Sequence, residues 1–221
     1  MPVKKELQRR SLYVITDPNA QRGRNPLEVL TRAMEGGASA VQLRDKEATD
    51  EELITVGKAL RKVCDRFGAL FIVNERIDVA NAVGADGLHI GQNDLSIEVA
   101  RQKIGKEKLL GISTHNLNQA QRAFQEGADY IGVGPIFKTP TKPDTPPVGI
   151  SLIQEVKKNL PIPFVAIGGI DLSNIEEVLA AGAYAVAVVR AVVGQENIRG
   201  AAARFKSILD VKKEEMEKIC E

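Results

Sequence analysis

One short phrase recurs four times along the chain and constrains the fold more than any other feature. Glu35-Gly36-Gly37-Ala38, Val83-Gly84-Ala85-Asp86, Glu126-Gly127-Ala128-Asp129 and Ala181-Gly182-Ala183-Tyr184 each follow a helix-like stretch and precede a β-like one. Glycine at such a point supplies the left-handed turn that ends a helix, and alanine lets the chain drop closely into the next strand. The phrase is therefore an αβ turn, and its repetition predicts a chain of βα units.

The segments between the turns agree. Apolar or β-branched runs occur at Leu12–Thr16, Ala40–Leu43, Leu70–Val73, Gly87–Ile90, Leu109–Ile112, Tyr130–Val133, Phe164–Ile167 and Ala185–Val189. Each has the length of a strand buried on both faces, as in a parallel sheet. Between them apolar residues recur at three- and four-residue spacing, as in Leu53, Val56, Leu60, Val63, Cys64 and Phe67, or Ile175, Val178 and Leu179. Thr49 with Glu52 three residues on reads as a capping box. Asp171 or Ser173 is expected to cap the helix that carries Glu176 and Glu177. Eight strands in 221 residues favour an α/β architecture of one domain, a (β/α)8 TIM barrel, over an open sheet. Residues 1–10 read as an N-terminal extension and 211–221 as a charged helical tail.

Composition excludes several classes. Thirty Lys and Arg against 29 Asp and Glu leave a formal charge of +1, unlike a nucleic-acid-binding domain. The longest uncharged apolar stretch, Val178 to Val189, is shorter than the roughly 18–20 residues of a membrane span. The first ten residues, MPVKKELQRR, carry no apolar signal-peptide region, so the expectation is a cytoplasmic protein with no membrane or nucleic-acid partner. Only two cysteines are present, Cys64 on an apolar helical face and Cys220 in the charged tail, with no metal-type spacing. A homo-oligomer is left open.

In a barrel of this kind chemistry belongs at the C-terminal ends of the strands. After strand two, Gln42 and Arg44 share a face and Lys46 continues beyond it, a set suited to an anionic, hydrogen-bonding ligand; an Arg–Asp surface pair is the plainer alternative. Glu75 follows strand three and Asp94 strand four, and carboxylates at neighbouring strand ends can share Mg²⁺ with substrate phosphates. Asn74 precedes Glu75, and His89 can equally be a satisfied residue of the barrel floor. Ser113 after strand five reaches toward the pocket, Thr114 or Asn116 can cap the next helix, and His115 is functional or decorative in equal measure. The connection after strand six, with Thr139, Thr141 and Lys142 among prolines, holds about sixteen irregular residues, a length typical of lids and binding loops. Gly168-Gly169 after strand seven and Val189-Arg190 after strand eight form the strongest signal of this reading, a phosphate site.

Together these stretches resemble the thiamine phosphate synthase family. QLRDK, VNE, DGLHIGQNDL, GISTH, DYIGVGPIFKTPTK and AIGGI stand in that family's order and spacing, from Tyr13 to Arg190. The resemblance implies a Mg²⁺-dependent transferase that joins hydroxymethylpyrimidine pyrophosphate to hydroxyethylthiazole phosphate. It implies that Gln42, Arg44, Lys46, Asn74, Ser113 and Lys142 contact the pyrimidine substrate, with Arg44, Lys46, Lys142 and Ser113 serving catalysis. Asp94 and Glu75 would hold the metal, and Thr139, Thr141, Gly169, Val189 and Arg190 the thiazole phosphate. Two positions depart from the pattern: Glu75 stands where Asp is common, and Arg190 where Ser is. The alternatives are a thiazole tautomerase using His115 as acid and base, and a barrel that binds thiazole phosphate without catalysis.

Overall fold

The computed structural model describes residues 11–219, with side chains through Lys212. The N-terminal extension, Cys220 and the final residue lie outside the described residues. Eight strands, β1 (Ser11–Ile15), β2 (Ala40–Leu43), β3 (Leu70–Asn74), β4 (Gly87–Ile90), β5 (Leu109–Thr114), β6 (Tyr130–Val133), β7 (Phe164–Ile167) and β8 (Ala185–Val188), pair in sequence order. Every pairing is parallel, and β8 closes onto β1, with Leu12 opposite Val186 and Val14 opposite Val188. The fold is the expected (β/α)8 barrel.

Alternation along the strands divides the apolar residues into two clusters. Leu12, Val14, Val41, Phe71, Leu88, Leu110, Ile131 and Val186 point outward and join the helical layer. Tyr13, Ile15, Ala40, Ile72, Leu109, Tyr130, Val165 and Ala187 fill the interior. Both faces are thus dry, which is why the strands read as continuous apolar runs. With little aromatic content, the outer cluster relies on Ala, Val, Ile and Leu fitting at close range.

Helices α1 (Pro18–Gln21) and α2 (Pro26–Glu35) follow β1, and α3 (Asp50–Phe67) follows β2. The Thr49 capping box is present: the Thr49 hydroxyl accepts from Glu52 N and the Glu52 carboxylate accepts from Thr49 N. Leu53, Leu60 and Cys64 are buried as expected, but Phe67 is exposed, its ring lying 4.9 Å from the Arg66 guanidinium. Burial pushes the Cys64 thiol up to about 12, consistent with a packed, unreactive cysteine. The circuit continues through α4 (Ile77–Ala82), α5 (Ile97–Ile104), α6 (Leu117–Gln125), α7 (Ser151–Asn159) and α8 (Ile175–Ala180). It ends with α9 (Arg190–Val193) and α10 (Ile198–Ile219), so the expected C-terminal helix runs through most of the tail. No helix among the described residues is long and apolar enough to cross a membrane.

The repeated αβ turn takes the conformation its glycine was expected to supply, with φ of 97° at Gly37, 65° at Gly84, 88° at Gly127 and 112° at Gly182. In two copies the residue after the alanine is an aspartate that braces the next strand pair. The Asp86 carboxylate accepts from Phe71 N (2.7 Å) and pairs with Arg61 (2.8 Å); that of Asp129 accepts from Leu110 N (2.9 Å) and pairs with Arg101. One expected cap is not found. The helix before Glu176 starts at Ile175 with no side-chain cap, because Asp171 spends its carboxylate on Ser173 N (2.8 Å) and its hydroxyl in a tighter turn upstream.

Asp129 lies at the end of the barrel away from the strands' C-termini. Asp129→Ala is expected to leave Leu110 N–H without its acceptor and Arg101 without its carboxylate partner, and to cost about 1–3 kcal/mol of stability. Urea denaturation checks this, with ligand affinity in the folded protein unchanged.

Candidate active site

All eight strands end at one rim, and a cavity of about 430 Å³ opens there. Of the residues singled out in the sequence, Gln42, Arg44, Asn74, Ser113, Thr139, Thr141, Lys142, Gly169, Val189 and Arg190 line it. Lys46, Glu75 and Asp94 are not in the lining; they flank it. The Asn74 side-chain amide donates to Glu75 Oε2 (2.8 Å), and Lys46 Nζ lies 3.6 Å from the same oxygen. Asp94 Oδ2 accepts from Gly91 N (2.6 Å), which folds the loop after β4 back on itself.

Arg44 is held from below. Its guanidinium donates to Asp17 Oδ2 (3.0 Å), and Asp17, almost fully buried, also caps α1 by accepting from Ala20 N (2.9 Å). Thr16 clamps the backbone of Arg44 from both sides, accepting from its N–H (2.7 Å) and donating to its carbonyl (2.9 Å). The Arg–Asp pair considered from the sequence therefore exists, but with Asp17 rather than Asp45, whose carboxylate instead accepts from Glu47 N and Ala48 N. Arg44 is thus a positioned cation in the cavity wall, and Thr16 and Asp17 belong to the site although the sequence reading did not select them.

Glu75 is one of two non-glycine residues with positive φ among the described residues, at 47°. A side chain in that region is uncommon and costs of order 1 kcal/mol or more, so such residues concentrate where function demands the geometry. The strain turns the chain sharply at the end of β3 and brings Glu75 to Lys46. At the mouth, Lys142 is exposed to solvent, yet its ammonium is held below the ordinary lysine value. Partial desolvation is the first cause, then the like charges of Arg44 and Lys46; Asp94 and Glu75 oppose them. These five groups therefore form one electrostatic cluster.

The opposite side of the cavity is built from the loops after β6, β7 and β8. Gly168 and Gly169 have φ of 101° and 66°, and a Cβ on Gly169 would lie 2.7 Å from the Lys138 carbonyl oxygen. Glycine is required there because the connection after β6 runs directly over it. That connection is tied down rather than loose: Ile136 N donates to Ile167 O and Phe137 N to Gly168 O (both 2.9 Å). The Thr141 hydroxyl is buried without a hydrogen-bond partner among the described residues, a costly arrangement unless a ligand supplies one. Gly169 does not open a helix, since the one that follows begins only at Ile175. The helix start facing the cavity is the short α9, where Val189 is the N-cap and Arg190 the first residue. Lys138 also lines the cavity and was not selected from the sequence.

The floor is polar. Gln42 Nε2 donates to the Tyr13 hydroxyl (2.7 Å), which lies 3.4 Å from that of Tyr130. His89 Nδ1 is 3.0 Å from the Tyr130 hydroxyl and its Nε2 3.0 Å from Ser113 Oγ. His89 is thus the satisfied floor residue considered above; burial, then the charge of Lys142, lowers it to about 3 and keeps the ring neutral. His115 also lines the cavity, with Nδ1 2.5 Å from the Gly134 carbonyl oxygen, while Asn116 caps the next helix by accepting from Gln119 N.

With this geometry in view, comparison with known proteins is direct. Residues 12–192 match the family model described as thiamine monophosphate synthase. A thiamine-phosphate synthase of Chloroflexus aurantiacus is 46% identical over 92% of this chain and 94% of its own length. One from Thermosynechococcus vestitus is 49% identical over 86% of this chain, which spans about half of that longer protein (53%). A solved structure, the thiamine phosphate pyrophosphorylase from Pyrococcus furiosus, superposes with a TM-score of 0.87 at 38% identity, covering 95% of this chain and 98% of the other. A barrel whose mouth joins a cation cluster to a glycine-lined pocket, matched over this much of its length, belongs to the thiamine monophosphate synthase family.

Proposed function

We propose that this chain is a thiamine phosphate synthase, a transferase that couples hydroxymethylpyrimidine pyrophosphate to hydroxyethylthiazole phosphate, releasing diphosphate. The observation that carries the reading is the joining of two different anion sites in one cavity. Arg44 lies in the wall with Lys46 at the rim, and the loop after β6 brings Lys142 into their field; the same loop carries the unpartnered Thr141 hydroxyl, which lines the cavity with Gly169 and Arg190. Relatives named for this activity support it.

The family resemblance implies Mg²⁺. Among the described residues no group of three or more His, Cys, Asp and Glu is placed to hold a metal ion. The donors present are the two carboxylates of Glu75 and Asp94, hard oxygen ligands that act with Lys46 on the field at Lys142. That set fits Mg²⁺, which is commonly held by one or two carboxylates and completed by substrate phosphates. Bound there, the ion supplies positive charge to a diphosphate leaving group.

In this reading Gln42, Asn74 and Ser113 grip the pyrimidine, and Arg44, Lys46 and Lys142 neutralise its diphosphate as the carbon–oxygen bond to the methylene breaks. Charge stabilisation of this kind needs no nucleophile from the protein. The pyrimidine methylene, left as a cation, is captured by the thiazole nitrogen. Thr139, Thr141, Gly169, Val189 and Arg190 hold the thiazole phosphate so that this nitrogen is in line. Arg44 needs no reorganisation during the step, because Asp17 and Thr16 already fix it. The loop carrying Lys142 lines the mouth, where its closing over bound substrate would limit the water that otherwise traps the cation. A tautomerase would leave the Lys46, Glu75, Asp94 and Lys142 cluster without a task, and nothing in the geometry of His115 favours it.

Purified protein with both substrates and Mg²⁺ is expected to yield thiamine phosphate and diphosphate in equal amounts, and excess chelator to stop the reaction. Absence of both products overturns the function, and full turnover in chelator removes the metal. Lys142→Ala is expected to lower kcat at least about a hundredfold with little change in melting temperature, and Lys142→Arg to recover part of the loss. Arg190→Ser is expected to raise the KM for thiazole phosphate about tenfold, roughly 1.4 kcal/mol, while leaving that for the pyrimidine near its original value. Steady-state kinetics with each substrate varied in turn checks both.

A further inference from the structure

Asp17, which holds Arg44 from below, begins a segment that ends at Arg24. The Arg24 guanidinium donates from Nη2 to Val193 O (2.5 Å) and from Nη1 to Gln195 O (2.7 Å), while its Nε donates to Gln21 O (2.9 Å). Val193 is the last residue of α9, and Gln195 lines the cavity together with Val189 and Arg190, whereas Arg24 does not. We propose that Arg24 is a positioning residue for the thiazole phosphate: by gripping the C-terminal end of α9 it sets the direction in which Val189 and Arg190 face the cavity. The proposal rests on the function given above and adds to it a residue outside the cavity lining.

The direction of these bonds is not in question. A guanidinium has only N–H donors and a carbonyl oxygen only accepts, so all three run outward from Arg24. Ring closure brings α9 to the rim, but its four residues make a single turn, too short to be stable by itself. Val192 and Val193 are fully buried and fix how deep that turn sits. Apolar packing is non-directional, so the rotation of the turn is left to hydrogen bonds. A cationic side chain on the carbonyls at a helix end is a favourable way to supply them. The tie continues to the cavity, because Gln195 Nε2 (3.3 Å) and Gly194 N (3.2 Å) both donate to Arg190 O. The chain that Arg24 holds is thus bonded directly to the residue whose side chain lines the pocket.

Arg24 is itself anchored. The carbonyl of Gln21, a residue only 4% exposed, accepts from Arg24 N (3.2 Å) as well as from its Nε, and Gln21 Nε2 donates to Arg24 O (3.2 Å). Between the two, Arg22 and Gly23 both have positive φ, 56° and 76°. Arg22 is the second non-glycine residue in that uncommon conformation among the described residues, and its turn delivers Arg24 to α9 as the turn at Glu75 delivers that carboxylate to Lys46. Asn25 then caps α2, accepting from Leu27 N (2.9 Å), which fixes the chain on the other side of Arg24. The segment from Asp17 to Arg24 therefore serves both substrates, holding Arg44 at one end and α9 at the other.

Two measurements test it. Steady-state kinetics, with each substrate varied in turn, is applied to the wild type, Arg24→Ala, Arg24→Lys and the double variant Arg24→Ala/Arg190→Ser. Arg24→Ala is expected to raise the KM for thiazole phosphate about tenfold and to leave that for pyrimidine pyrophosphate within about twofold. Arg24→Lys is expected to fall between, because one ammonium cannot span carbonyls that a planar fork reaches together. The double variant is expected to go little beyond the larger single effect, since both changes act on one site. Equal rises in both KM values, no rise in folded Arg24→Ala, or a roughly hundredfold rise in the double variant overturns the proposal. Hydrogen exchange read by mass spectrometry, without substrate, then follows the peptide spanning residues 189–195. Faster exchange there in Arg24→Ala, with peptides of β4 and β5 in the opposite wall unchanged, is expected; unchanged exchange at 189–195 overturns the proposal. Should Arg24→Ala fail to fold, Arg24→Lys carries both readouts. A wild type that makes no thiamine phosphate overturns the enzymatic reading and the positioning role with it, whereas an active wild type with equal KM shifts in Arg24→Ala overturns the positioning role alone.

Discussion

Closure of the β8–β1 pairing is the constraint on which the rest depends. Eight parallel strands bonded in a ring leave no free edge, and parallel pairing sends all their C-terminal ends to one rim. Residues more than a hundred positions apart, such as Arg44 and Arg190, thereby line one cavity without any contact dedicated to bringing them there. The same closure explains the division of labour between the two ends. The Asp86 and Asp129 braces, which hold strand to strand and strand to helix, sit where the helices feed into the strands, away from the mouth.

Charge at the mouth is arranged by mutual dependence. Four groups act on Lys142: two cations that weaken its proton affinity and two carboxylates that restore it. Cations crowded in this way are costly for the free protein and favourable once a multiply charged anion arrives, since the repulsion is then exchanged for attraction. Arg44 differs from Lys142 because it is paired with Asp17, at 3.0 Å, before any ligand binds. It can therefore be rigid, whereas Lys142 is carried on a loop. The other part of the cavity combines Gly169 and the Thr141 hydroxyl with the cations Lys138 and Arg190.

Between these poles the barrel interior changes character along its axis. The lower part is packed by Leu70, Leu109, Val165 and Ala185, and the layer above carries Gln42, His89, Tyr13 and Tyr130. A polar layer that deep is tolerated only because its members satisfy one another. Gly111 makes room for it: a Cβ there would meet the Tyr130 ring at 2.1 Å. Packing and polar recognition thus share the same alternating positions of the strands.

Much of this was legible in the chain. The four αβ turns and eight apolar runs determine a closed or nearly closed parallel sheet, because glycine geometry and two-faced burial are local properties that residues a few positions apart already express. The order of the loops after the strands likewise marked Gln42, Arg44, Ser113, Thr141, Lys142, Gly169 and Arg190 as residues of the mouth. Strand limits moved by one or two residues where hydrogen bonding overrode composition, as when β5 ran on to Thr114 through its pairing with β6. Only the tertiary structure decided who partners whom. That Asp17 rather than Asp45 anchors Arg44, that Lys46 meets Glu75, and that Tyr13 and Tyr130 join His89 in a floor depends on contacts across the barrel. Such pairings arise from ring closure and side-chain reach between distant segments, and no periodicity within a segment encodes them.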